Sequence, residues 1–196
     1  MNPADADLQA LQRGDESALS RLIERWRRPL FAFAWRYVRN SADANELVAE
    51  VFVRLYRQSM RLSADTNLPA WLFTVLANLC RNHHRRERRS PLVHLEAPTG
   101  AEPGTDVVAD SIAVDRPGPD RILEHDEALA ALAAAIDRLP HELKVPLLLH
   151  HYERMDYATL GPILGCSARG VETRLYRARQ YLRAELAGFL RETVGS

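Results

Sequence analysis

Residues 156–183 read DYATLGPILGCSARGVETRLYRARQYLR, and the fold turns on this stretch. Asp156 is a natural N-cap for a short apolar helix over about 157–164. Gly165 suits the left-handed residue that ends such a helix, and Cys166-Ser167 makes the turn. A long arginine-rich helix is predicted from about 168 to 190. Within it Val171, Leu175, Ala178 and Leu182 recur at steps of 4, 3 and 4, one narrow apolar stripe. Arg169, Thr173, Tyr176, Arg177 and Gln180 fall on the opposite side. A short helix, a glycine turn and a long basic helix follow one another as in a DNA-reading helix-turn-helix. Arginine pairs bidentately with guanine, and threonine contacts base edges or the thymine methyl. Arg174, Arg179 and Arg183 stand at the flanks, placed for phosphates. The same spacing also fits an ordinary amphipathic helix with a solvated basic face.

Outward from this stretch the chain reads as helix throughout. Residues 121–138 are rich in Ala and Leu, strong helix formers, and Leu139-Pro140 opens another helix over 141–153. In the N-terminal half, Leu19, Leu22, Ile23, Trp26, Leu30, Phe33 and Tyr37 recur at spacings of three and four, predicting one or two helices over 15–39. Pro29 is expected to kink or split that run. A second helix over about 43–60 carries Leu47, Val51 and Leu55 on one stripe with Val48, Phe52 and Tyr56 beside it. A loop over 61–67 follows, then a helix from Pro69 to about 89. Its first half is apolar, with Trp71 and Leu72 on a stem read as core, and its second half is RNHHRRERR. Neither half shows strand alternation or a hairpin signal.

Charge is segregated within a chain that is neutral as a whole. The 196 residues hold 26 Lys+Arg against 26 Asp+Glu, and 46% are hydrophobic, enough for a packed core. Residues 81–89 contain five Arg and one Glu, and residues 169–183 again five Arg and one Glu. Between them, 91–120 contains six acids, one Arg, five prolines and three glycines, the composition of a flexible tether. Two basic blocks around an acidic tether suggest two surfaces facing a polyanion, although solvated helix faces give the same distribution. The expected architecture is all-α: an N-terminal helical bundle over 8–90, an acidic Pro/Gly-rich linker over 91–120, and a C-terminal helix-turn-helix bundle over 121–192.

Several function classes fall away. No apolar run approaches the roughly 20 residues that span a bilayer, and the polar, acidic N-terminus lacks the order of a secretory signal. Cys80 and Cys166 lie far apart, so a cytoplasmic chain without a disulfide framework is expected, with Cys80 in the core and Cys166 in the turn. Glycine-rich phosphate loops, a Ser-His-Asp order and paired carboxylates are all missing, and no enzymatic activity, cofactor or small-molecule substrate is expected. His83-His84 and His150-His151 have no Cys or carboxylate cluster beside them in sequence, so no metal site is expected either.

Four segments together carry a resemblance. SADANELVAEVFVRLYR (41–57), LPAWLFTVLANLCRNHHRRERR (68–89), LPHELKVPLLLHHYERMDYATLGPILG (139–165) and CSARGVETRLYRARQYLR (166–183) resemble, in order and spacing, the extracytoplasmic-function sigma factors, group 4 of the sigma-70 family. The resemblance implies a factor that binds core RNA polymerase and directs it to promoter DNA, with no chemistry of its own. It places polymerase docking on Asp43, Glu46, Leu47, Glu50, Val51 and Phe52, of which Leu47, Val51 and Phe52 fit the domain core better. The minus-ten element would be met by Asn78, Asn82, His83, Arg85 and Arg86, and by a base pocket in the loop with Asp65, Thr66 and Asn67. The minus-thirty-five duplex would be read by Arg169, Glu172, Thr173, Arg174, Tyr176, Arg177 and Arg179. The linker would thread toward the RNA exit path, its acids mimicking nucleic acid. A membrane-anchored anti-sigma factor would hold the protein inactive.

Departures from the family pattern occur at Asn45, Ala49, Glu172, Pro146 and Pro162. Asn45 and Ala49 alter the docking helix, and Glu172 brings an acid to the DNA face, where it can accept from cytosine N4. The two prolines are expected to bend their helices. These departures keep open a sigma-like decoy that titrates an anti-sigma factor without reading DNA. A plain helix-turn-helix repressor leaves the N-terminal half without a role.

Overall fold

The computed structural model describes residues 3–63, 65–89 and 119–194. Among them are eight α-helices, one 3-10 turn and no strand. They are α1 (Pro3–Gln12), α2 (Glu16–Val38), α3 (Ser41–Gln58), the 3-10 turn (Ser59–Arg61), α4 (Leu68–Arg89), α5 (Pro119–Arg138), α6 (His141–His151), α7 (Tyr157–Leu164) and α8 (Ala168–Val194). Nearly all of the expected tether, 91–118, lies outside the described residues, and its last two positions open α5.

Local chemistry sets most helix ends. The Asp15 carboxylate accepts from Ser17 N and starts α2. Asn40 Oδ1 accepts from the amides of Ala42 and Asp43, so α3 begins two residues before the expected 43. Asp156 caps α7 through Thr159 N at 2.7 Å, and Gly165 closes it at φ 61. Pro29, Pro146 and Pro162 each sit inside an unbroken helix. Each removes one backbone bond, and burial of the neighbouring side chains holds the remaining turns together.

The N-terminal segment is more than a tail. Leu8 and Leu11 of α1 enter the core, and Gln12 Nε2 donates to the carbonyls of Ser59 and Leu62 at 2.9 and 2.8 Å. Asp7 pairs with Arg21 and Arg25 of α2. The core of this half is built from Leu22, Leu30 and Phe33 of α2, Val51 and Leu55 of α3, and Leu72, Phe73 and Leu76 of α4. Phe73 meets Phe33 and Trp26 edge to face.

The two helical halves share one continuous apolar cluster, from Leu8 to Leu175. The seam runs where α7 packs on α4 and α6 packs on α2. Its polar centre is Lys144, 4% exposed. The Lys144 ammonium donates to the Tyr37 carbonyl at 2.9 Å and to Asp137 Oδ1 at 3.0 Å, and sits 4.6 Å over the Tyr37 ring. Tyr37 lies in the last turn of α2, where carbonyls lack helical partners, so the ammonium fills a vacancy the helix end creates. Burial pulls the ammonium below its ordinary range, and Asp137 offsets part of that shift. The Tyr37 hydroxyl, kept protonated by burial, shares a hydrogen bond with His141 Nδ1 at 2.8 Å. The Arg36 guanidinium stacks 4.2 Å over Tyr152.

Burial, reinforced by the facing charges of Arg81, His84 and Lys144, pushes the His141 imidazole down to about 4. A histidine released from the seam takes up a proton below about 6.5. The joined state is therefore at full strength above about pH 6.5 and weakens as pH falls toward about 4. Small-angle scattering is expected to show the radius of gyration rising across that window, and His141→Gln is expected to flatten the rise.

Candidate nucleic-acid interface

The long basic helix α8 forms as the sequence predicts. Val171, Leu175 and Ala178 are buried, with Leu182 packed beside them. Arg169, Glu172, Thr173, Tyr176, Arg177 and Arg179 are exposed, Tyr176 to 60%. The Thr173 hydroxyl donates to Arg169 O at 2.9 Å, which turns that oxygen into the helix and leaves the methyl as the outward contact. Arg174 differs from expectation. Its guanidinium donates to Leu164 O at 3.2 Å and caps the end of α7, so it braces the turn as well as standing at its flank.

Close approach fixes the turn. Gly161 is buried, and its carbonyl accepts from the amides of Gly165 and Cys166. A Cβ on Gly161 would stand 2.8 Å from the Cys166 carbonyl oxygen. Cys166 in turn rests its side chain against Gly170 of α8, within 3.1 Å of where a Cβ would stand. The two glycines thereby set how closely α7 and α8 approach.

On α4 the apolar stem is buried as expected, with Leu68, Leu72, Phe73, Leu76 and Cys80 at its centre. Burial pushes the Cys80 thiol up to about 12, consistent with an inert core residue. Trp71 is partly buried against the same core. Asn78, Asn82, Arg85 and Arg86 lie along one exposed face at steps of 4, 3 and 1. His83 is not among them. At roughly 100° per residue it points about 140° away from Asn78, toward α3. There its Nε2 stands 3.4 Å from Asp43 Oδ2 and 3.4 Å from Glu87 Oε1. In the loop before α4, Asn67 Oδ1 accepts from Ala70 N and starts the helix, while Asp65 is exposed and Thr66 half-buried.

The docking candidates divide. Leu47 and Val51 are core, and Phe52, 7% exposed, forms the floor of a groove. Glu46 is exposed, Glu50 is tied to Arg54 at 2.7 Å, and Asp43 is turned toward His83. The groove, about 950 Å³, runs between α2 and α3. Leu19 and Ile23 form one wall, and Asn45, Ala49, Val53 and Tyr56 the other. Val53 and Tyr56 are 42% and 54% exposed, unusual for such side chains on a helix of a packed half. Positions 45, 49, 53 and 56 recur at helical spacing and form one outward stripe of α3, to which Val53 adds an apolar side chain.

Comparison with known proteins bears on what these surfaces serve. The sequence family Sigma-70 region 2 matches residues 22–90, and Sigma-70, region 4 matches residues 129–182. The ECF RNA polymerase sigma factor EcfG of Rhodopseudomonas palustris is 32% identical over 80% of this chain and 78% of its own. The chain belongs to the ECF sigma factor family. The sigma factor is also 30% identical to SigE of Mycolicibacterium smegmatis, over 93% of this chain and 68% of that one. To the RNA polymerase sigma-H factor of Pseudomonas aeruginosa it is 27% identical, over 94% of each chain. Its fold matches CnrH, solved in complex with the cytosolic domain of CnrY, with a TM-score of 0.66 at 21% identity over 94% of this chain and 97% of that one. It also matches RpoE of Bartonella quintana, solved with the anti-sigma factor NepR, with a TM-score of 0.59 at 22% identity over 86% and 96%. Sigma factors are transcription initiation factors without enzymatic activity, in line with the expectation that this one catalyses nothing. No described helix is long and apolar enough to cross a membrane.

Replacing Gly161 by Ala in this sigma factor forces the α7–α8 turn open against a backbone oxygen, which cannot rotate away. The expected cost is about 1–3 kcal/mol in denaturant unfolding. Gly165→Ala, which meets only backbone strain at φ 61, is expected to cost about 1 kcal/mol.

Proposed function

We propose that this sigma factor docks on core RNA polymerase through the α2–α3 groove, contacts the minus-ten element with the exposed face of α4, and reads the minus-thirty-five duplex with α8. The observation that carries this reading is the pair of separate cationic faces in one chain. Asn78, Asn82, Arg85 and Arg86 project from the solvent-facing side of a helix whose stem is buried. Arg169, Thr173, Tyr176 and Arg177 project from a second helix held by a buried stripe. Rigid stems hold the arginines against phosphate and base edges without the loss of order that a free tail would suffer. A repressor needs only the second face.

In the groove, Phe52, Val53 and Tyr56 present apolar area between Arg27 and Arg57. Such a surface accepts a helix with an apolar face and acidic flanks. The clamp coiled coil of polymerase is the occupant in the active state. In the resting state an anti-sigma factor, anchored in the membrane, occupies the same surface, so the two complexes exclude one another. That RpoE of Bartonella quintana was solved with an anti-sigma factor supports an inhibitory protein of this kind. The protein then works in the cytoplasm, where polymerase and promoter are.

Run-off transcription with purified core polymerase on fragments of the source genome tests this. A discrete new start site is expected. The paired change Arg85→Ala and Arg86→Ala, or Arg177→Ala alone, is expected to reduce run-off product by roughly 5–100-fold while polymerase binding persists, as loss of contacts of about 1–3 kcal/mol predicts. Val53→Asp is expected to weaken polymerase binding itself. Polymerase binding with no start site at any promoter would instead favour the decoy reading, in which Arg85, Arg86 and Arg177 have no role.

A further inference from the structure

We propose that Asp43, His83 and Glu87 form a binding site for one divalent transition-metal ion of the zinc type, joining the start of α3 to the basic end of α4. The three residues come from two helices and lie 40 and more positions apart in sequence, apart from the i, i+4 pair on α4. Their ligand atoms all lie within 4.8 Å of one another. His83 Nε2 is buried and has no hydrogen-bond partner among the described residues. It stands 3.4 Å from a carboxylate oxygen of Asp43 and 3.4 Å from one of Glu87.

Those distances discriminate between two arrangements. A charged hydrogen bond from an imidazolium to a carboxylate is normally about 2.7–2.9 Å long, and a single N–H serves one acceptor well. Both contacts are longer than that. Ligand atoms held about 2.0–2.1 Å from one ion at tetrahedral angles stand roughly 3.3–3.4 Å apart, the spacing found here between the imidazole and each carboxylate. One imidazole and two carboxylates leave a fourth position for water, a donor set that suits zinc and its neighbours better than calcium or magnesium. A divalent cation would neutralise the two carboxylates brought together beside a partly buried ring, whose side chain is 17% exposed. The framework is held in advance: Asp43 N is pinned by Asn40 Oδ1 at 3.1 Å, and α3 packs directly on α4. The site requires only these two helices, so it stands whether or not the promoter reading holds.

The full-length protein, stripped with EDTA, is titrated with Zn²⁺ by calorimetry and with Co²⁺ by visible spectroscopy. One Zn²⁺ per chain is expected, with the intense visible bands of tetrahedral Co²⁺. Asp43→Asn and Glu87→Gln are each expected to weaken Zn²⁺ binding at least tenfold, and both bands and binding are expected to survive the change of His150 and His151 to Ala. Circular-dichroism melting in EDTA establishes that each variant is folded, and if Asp43→Asn does not fold, Glu87→Gln decides. Absence of Zn²⁺ binding to the parent protein, or an affinity unchanged in a folded Asp43→Asn or Glu87→Gln variant, overturns the site.

Discussion

Burial of the first half of α4 is the constraint on which the rest depends. Leu68, Leu72, Phe73, Leu76 and Cys80 are at most 1% exposed, and the stem they form touches α1, α2 and α3 on its own side and α7 across the seam. Each such side chain contributes about 1.5–3 kcal/mol when removed from water. That attachment lets the same helix continue, without a break, into a run of arginines that no apolar surface would hold by itself. Like charges crowded on a helix end repel one another, and a free peptide of this composition would fray. The buried stem supplies the order, and the exposed half inherits a fixed direction.

The same division of labour recurs in α8, but with a difference in how the helix is held. There the support is a single stripe through Val171, Leu175 and Ala178, together with a turn compressed around Gly161 and Gly170. Arg138 and Glu185 tie α5 to the far end of α8 at 2.7 Å. One arginine-bearing helix is thus set by a broad core and the other by a narrow seam and a tight corner. Because α7 also lies on α4, the two basic faces are mechanically connected through one short helix.

Much of this was legible in the residues, and the misses have particular causes. Periodicity gave the eight-residue α7, its Asp156 and Gly165 ends, and the stripe of α8, since all of these depend on neighbours within two turns. The helix over Pro3–Gln12 escaped because PADAD reads as solvent, and its anchors, Leu8 and Leu11, are too few to show a period. Pro29 does not split α2, because the cost of one lost bond is local, whereas the packing that absorbs it is not. Motif matching placed His83 on the face of Asn82 and Arg85, while the helical turn sends it toward Asp43, a meeting no local pattern encodes. Continuity of the core between the halves, and the role of Lys144 in it, likewise arise only from tertiary contact.

Lys144 is the sole lysine among 26 basic residues, and it is spent at the seam. Apart from histidine, every basic side chain facing solvent on α4 and α8 is therefore a guanidinium, whose protonation is constant across all physiological pH. Enzymatic acetylation, which silences cationic surfaces by capping amines, finds no substrate on either face. The one lysine amine is shielded by Tyr37 and Asp137 until the halves separate. In this chain lysine chemistry would report on the joining of the two halves, and the strength of the arginine surfaces would stay constant.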